Sequence, residues 1–260
     1  MHTTESQAMP MPKCELPNPT KRNRFFWGKL MDAYHFELET NYLNAKRWLL
    51  NRLVSGCGVV CGLDVQHHGG QEIVVTPGVA IDRWGREIIV QEKTAPLAIP
   101  DGLVKTTAES HKKKNRPEEC CVHVVICYHE CLADPTPVLA GDCGCDPVCA
   151  PGAIRERYCI EFRAGCAPSI PMVCHFDAAS RGTIDYGELV EWVTRKRRCL
   201  DFPKDPCIPL ANIPVDVDSC SCCCGPEDID ITIRPIVFYN HLLFDLLYCL
   251  ETEGAKPEAE

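Results

Sequence analysis

Apolar and polar residues change their spacing along this chain, and each change marks an element. Over residues 25–56, Leu38, Tyr42, Ala45, Leu49 and Leu53 follow a helical stripe, with Phe36, Leu43 and Leu50 beside it. Asp32 is placed to cap the N-terminus and Gly56 to stop the C-terminus. The spacing predicts a helix of roughly 20 residues here, with Lys46, Arg47 and Arg52 on its polar side.

Residues 57–100 switch to period two. Val59–Val65, Gln71–Val75, Gly78–Ile81 and Arg86–Val90 read as short strands. Gly69-Gly70, Pro77-Gly78 and Asp82–Gly85 separate them, which predicts an antiparallel meander. Residues 101–118 are a polar loop. Residues 119–132 form a strand with 154–163 as its hairpin partner, across a Pro/Gly/Cys-rich loop at 133–153. Asp185–Arg198 reads as a helix, acidic early and basic late as the helix dipole favours. Short strands at 208–215 and 228–233 follow, then an apolar helix over Val237–Leu250.

The expected fold class is therefore α+β. An N-terminal arm (1–24, with Pro10, Pro12, Pro17 and Pro19) leads into a long helix (25–56). A β-meander module (57–100) and the polar loop (101–118) precede a Cys-rich β domain containing one helix (119–235). A C-terminal helix (236–252) packs on the sheet, and a disordered tail (253–260) ends the chain.

Composition narrows the function classes. Hydrophobic residues are 45% of 260 and charged residues 24%, as in a folded globular protein. A net charge of −9 argues against an electrostatic nucleic-acid binder. The basic runs at Lys112–Lys114 and Arg195–Arg198 read as a solvated loop and the cationic end of a helix. No apolar run is long enough to span a membrane, and residues 1–20 lack the apolar core of a secretory signal. The expectation is synthesis and folding in the cytoplasm, where thiols stay reduced.

That matters because cysteine is the outlying residue. The chain holds 20, and sixteen fall between Cys120 and Cys224. Cys143, Cys145 and Cys149 lie close together in one loop, and Cys131 ends the strand before it. Zinc takes four thiolate or imidazole ligands tetrahedrally, so these four form a candidate zinc site, with His129 as an alternative ligand. Cys127, His129 and Cys131 share one strand face by alternation. A second cluster, Cys220, Cys222, Cys223 and Cys224, is too crowded for one centre. Cys220, Cys222 and Cys224 are candidate ligands there, completed by Cys166, Cys174, Cys199 or Cys207. Disulfides remain the alternative at both clusters, and iron–sulfur spacings are absent.

The other cysteines and histidines read as structural. Cys57, Cys61, Cys159 and Cys249 sit in apolar patterns and are expected to be buried small hydrophobes. His35 and His241 read as helix packing or polar-face residues, and His67-His68 as a turn. No His-Glu-x-x-His, deaminase-type pattern, Gly-rich dinucleotide loop or phosphate-binding Lys loop is present, so no catalytic constellation is assigned.

Several segments nevertheless form a recognisable set. They are Phe25-Phe-Trp-Gly-Lys-Leu-Met31, Phe36–Glu39, Tyr42–Arg47, Asn51-Arg52 and Gly58–Leu63. This opening resembles a family of uncharacterised proteins associated with phage-tail-like contractile injection systems. Ile73–Asp82 and Gly85–Ile88 are similar to a small β-module near the attachment ends of phage tail and baseplate proteins. Arg234–Asn240 and Leu246–Leu250 fit the same family, while the cysteine-rich middle lies outside the match. The resemblance implies a structural subunit of the baseplate or fibre-attachment region, partnered by other particle subunits as a homo-oligomer or ring component. It would be assembled in the cytoplasm and then carried on the particle. It brings no catalytic residues. A zinc-dependent metalloenzyme and a disulfide-rich extracellular adhesion module are the competing readings.

Overall fold

The computed structural model describes residues 20–105, 121–138, 149–168, 185–197, 201–214 and 228–254. Helices and antiparallel sheets both occur, as the α+β expectation requires. The chain divides into two compact units, Met1–Leu50 and Asn51–Glu260.

The first unit is built on helix α1, Ala33–Leu50. It begins where Asp32 acts as its cap, accepting the His35 backbone N–H at 3.2 Å. The helix therefore starts later than the 25–56 segment suggests. Residues 25–32 instead form a turn closed by Lys29 N–H on the Phe26 carbonyl and eased by Gly28 at φ +80. Asn23 is buried in this unit, donating its backbone N–H to Glu39 and accepting from the Lys29 ammonium.

A π-helical turn, Asn51–Ser55, opens the second unit and ends at Gly56, φ +87. Six short strands follow: β1 Gly58–Gly62, β2 Val65–Gly69, β3 Glu72–Val75, β4 Gly78–Ile81, β5 Glu87–Val90 and β6 Leu97–Ala98. They do not form the simple meander that alternation suggests. One sheet has the order β1-β4-β5 and a second the order β2-β3-β6, so the β2–β3 hairpin is nested between β1 and β4. The switch occurs at Gly62 (φ +64) and Leu63 (φ +57), where the chain leaves β1 and turns into β2. There the backbone meets the start of β4 so closely that a Cβ on Gly78 would lie 2.4 Å from the Cys61 carbonyl oxygen.

The third sheet, order β8-β7-β9, contains the long hairpin β7 Cys121–Pro137 and β8 Cys149–Ala164, with β9 Ile208–Pro214 beside β7. Much of the expected 133–153 loop is strand, because pairing continues from Leu132↔Ile154 to Pro137↔Cys149. Beyond Tyr128 and Tyr158 the ribbon is largely solvent-covered, with Leu132 and Ile154 exposed.

One hydrophobic core joins the three sheets. Leu63, Val65, Ile73, Val75, Ile88 and Val90 meet Val122, Val124 and Ile126 of β7 and Ile208, Leu210 and Ile213 of β9. The even-numbered residues of β7 thus face the core. Arg234 ties the end of the chain to this body, donating to the Leu210 and Leu63 carbonyls. Residues 235–237 then run parallel to β1 through Val59. The expected strand at 228–233 is reduced to one bridge, Asp230 with Asn212.

Residues 101–105, at the start of the expected polar loop, are helical, and two further helices follow. Short α2, Tyr186–Glu191, is capped by Asp185 and continues as a π-helical turn to Lys196. Helix α3, Asn240–Gly254, starts later than expected and does not lay its apolar side on a sheet. Phe244, Leu247 and Tyr248 are 64, 63 and 59% exposed. The helix is apolar on more than one side, so no single packed face can cover it.

Candidate functional site

The face of the third sheet turned away from the core carries the sulfur. Side chains alternate along a strand, so odd-numbered residues of β7 share this face. Cys121, Cys127, His129 and Cys131 follow one another along it. The register sets Cys127 directly opposite Cys159 and Pro137 opposite Cys149, which puts both β8 cysteines on the same side. On the other flank Ile126 pairs with Ile208, so Cys207 follows as the neighbour of Cys127. Six cysteines of this sheet therefore lie on one face among the described residues.

Two pairings involve this face. Cys127 and Cys207 form a disulfide with Cα atoms 4.5 Å apart, linking the central strand to the start of β9. Cys121 and Cys166 form another, with Cα atoms 5.2 Å apart. Cys127, Cys207 and Val125 also make a small buried cluster of their own. Cys159 is free and exposed, and its thiol is pushed up, first by burial and then by the charge of Glu161.

Around Cys127 the charges are ordered by Arg163. Its guanidinium contacts both Asp205 oxygens, at 2.5 and 3.4 Å, and Glu161 at 3.0 Å. Its Nη2 also lies 3.9 Å from the Cys127 sulfur. Burial alone would raise the Asp205 carboxyl, but the Arg163 hydrogen bond and the Cys207 backbone N–H hold it below the usual range. Asp205 in turn raises the Arg163 guanidinium above its ordinary value.

The candidate zinc ligands read from sequence distribute unevenly. Cys131 pairs opposite Arg155 and its thiol points to the Arg155 carbonyl at 3.6 Å. Cys149 lies six ladder steps further along, about 20 Å at the rise of an extended strand. Cys131 and Cys149 therefore cannot bind one ion, because continued strand pairing separates them. His129 is exposed on the same face. Cys143, Cys145, Cys220, Cys222 and Cys224 lie outside the described residues.

Among the described residues, one group of donors does converge. The ligand atoms of Cys127, Glu161 and Cys207 all lie within 4.8 Å of one another. Alternation could place Cys127 on the right face, but Glu161 and Cys207 arrive from two other strands. Only the register of both neighbours reveals them.

The isolated cysteines also differ from expectation. Cys61, Cys159 and Cys249 are exposed, and half-buried Cys57 packs against the edge of the main core. His241 faces solvent and pairs with Asp245 at 3.1 Å, and His67 bonds the Gly70 carbonyl at its turn. A separate polar groove of about 730 Å³ lies between β5 and β8, lined by Glu87, Glu92, Lys93, Arg155 and Arg157. No helix among the described residues is long and apolar enough to cross a membrane.

No protein-family model matches the chain, and no curated protein matches it. Among solved structures, the crystal structure of TssK aligns over 55% of this chain at 16% identity and a TM-score of 0.31. The alignment spans 35% of that protein's own length. A likeness of this strength assigns neither a fold family nor a function.

Proposed function

We propose that this chain is a structural subunit of a phage-tail-like contractile particle, in its baseplate or fibre-attachment region. The observation that carries the reading is the amount of large apolar surface outside the core. In the first unit Trp27 is fully exposed, Leu30 is 88% exposed, and Phe25, Phe26 and Phe36 are each above half. In the second unit α3 leaves Phe244, Leu247 and Tyr248 open. Large apolar side chains exposed in such numbers mark surface that other chains cover. Phe25, Phe26, Trp27, Leu30 and Phe36 fall in Phe25–Met31 and Phe36–Glu39, two of the segments that carry the family resemblance.

In this reading the partners are other particle subunits or further copies of the chain in a ring, assembled in the cytoplasm. Zinc or disulfides hold the cysteine-rich loops in shape where apolar core is scarce. The zinc part rests on the spacing of Cys143, Cys145 and Cys149 and of Cys220, Cys222 and Cys224.

The test is co-expression of the full tagged chain with the sheath, tube and spike proteins of a contractile particle, followed by sedimentation. Support is co-sedimentation with sheath and tube that is lost in the Trp27→Ser, Leu30→Ser variant. Intact particles that form without the chain, while it stays monomeric in the supernatant, would sink the proposal.

A further inference from the structure

We propose that the reduced chain binds a thiophilic divalent metal, of the zinc class, through Cys127, Cys207 and Glu161 on the sulfur face. The three donors come from three adjacent strands or their ends, and they lie within 4.8 Å of one another with the Cys127–Cys207 disulfide closed, so the two sulfurs move apart on reduction to receive an ion. Cys159 pairs opposite Cys127 in the ladder but is not one of the converging donors, so the fourth position is left to solvent. Two sulfurs and one carboxylate with an open fourth position suit a tetrahedral zinc shell, and thiolates select zinc over magnesium or calcium.

The electrostatics ask for a cation. With the sulfurs opened to thiolates, Cys127, Cys207, Glu161 and Asp205 place four anionic groups around the Arg163 guanidinium, with Arg83 also acting on Asp205. A divalent ion offsets that excess. Arg163 already reaches the Cys127 sulfur and one oxygen of Glu161, the kind of outer contact that orients ligands around an ion.

The disulfide and the metal site are two states of one place. Two equivalents of a low-molecular-weight thiol, or one dithiol, supply two electrons and two protons to the Cys127–Cys207 bond and leave as their disulfide. Metal binding then displaces the two thiol protons. Oxidation closes the site, and reduction opens it. The site is independent of the assembly reading, since it is scored on the isolated chain.

The experiment uses the full chain, reduced with dithiothreitol, desalted anaerobically and titrated with cobalt(II). Thiolate-to-cobalt absorption counts the bound equivalents, and zinc displaces them. The Cys127→Ser, Cys207→Ser double variant is expected to lose one equivalent relative to wild type. Glu161→Gln, at a largely exposed position that leaves the buried cluster intact, is expected to weaken that same equivalent at least tenfold. Unchanged stoichiometry and affinity in Glu161→Gln overturns the ligand set, even if the double variant does not fold. A Cys127–Cys207 disulfide that survives dithiothreitol in the folded chain, with no equivalent assigned to it, overturns the proposal outright.

Discussion

The Asp82 carboxylate accepts a 2.7 Å hydrogen bond from Nε of Arg86, and Asp82 is wholly buried. The same carboxylate accepts the backbone N–H groups of Trp84 and Arg86, so it organises the whole β4–β5 turn. Arg86 is held from the other side by the rings of Trp84 and Tyr128, 4.7 and 4.5 Å from its guanidinium carbon. The turn thus clamps the first sheet to the third. Asp82→Ala leaves a buried guanidinium and two amides without their acceptor, and is expected to cost about 3–5 kcal/mol in urea unfolding. A loss under about 1 kcal/mol would show that the clamp is not structural.

Gly78 sits where the chain crosses between two sheets. A methyl group there would meet the Cys61 carbonyl oxygen and the Leu63 amide nitrogen, both at 2.4 Å and both backbone. Nothing flexible can give way. Gly78→Ala is expected to destabilise by about 3 kcal/mol. Gly102→Ala, with open space around it, is expected to stay within about 0.5 kcal/mol. Paired thermal melts of the two variants check the contrast.

Asn212 is a buried side chain that acts as a docking bracket. Its amide accepts the Ala167 N–H at 2.8 Å and donates to the Ala167 carbonyl at 3.4 Å. Asn212→Ala removes both partners and is expected to cost about 2 kcal/mol. Hydrogen exchange at Ala167 is expected to rise by at least tenfold in this variant, and an unchanged rate would contradict the bracket.

Asp205 gives the acid limb its direction. Its folded pKa lies below the unfolded value, so its contribution is present above the unfolded value and is lost as pH falls through the folded one. The Asp205→Asn variant is therefore expected to trail wild type above about pH 5 and to converge with it in strong acid. Because the side chain is 49% exposed, the plateau difference is expected to be under about 1 kcal/mol. A difference that grows on acidification would reverse the assignment.

Reduction provides the fifth test. The Cys127–Cys207 bond spans 80 residues of sequence, and closing a loop of that size stabilises by about 4 kcal/mol in the chain-entropy account. Dithiothreitol is expected to lower Tm, and added zinc to restore part of the loss. A Tm that ignores both reagents would remove this face from the energetics of the fold.

Much of this was legible in the residues themselves. Asp32 caps its helix as its position suggests, and the β7–β8 hairpin follows the apolar alternation through Val122, Val124 and Ile126. The shared face of Cys127 and Cys131 follows from the same period. What the sequence does not display is pairing between distant segments. Nothing in β1 announces β4 as its neighbour, since the choice depends on how closely Gly62 and Gly78 approach. Glu161 looks like an ordinary strand carboxylate until the hairpin register brings it beside Cys127. Cys131 and Cys149 looked close because a loop was expected between them, and continued pairing moved them apart. Helix α3 is apolar in sequence, yet among the described residues nothing covers Phe244, Leu247 and Tyr248.

The strict alternation of β7 has a consequence for how such a strand can change. Its two faces serve unrelated ends, Val122, Val124 and Ile126 inward and Cys121, Cys127 and Cys131 outward. Substitutions on either face are felt on that face alone, so each can drift at its own pace. A single-residue insertion or deletion is different, because it turns every following side chain over at once. It would thrust thiols into the interior and valines into the open. For this strand, a change in residue count disturbs more than a change in residue identity.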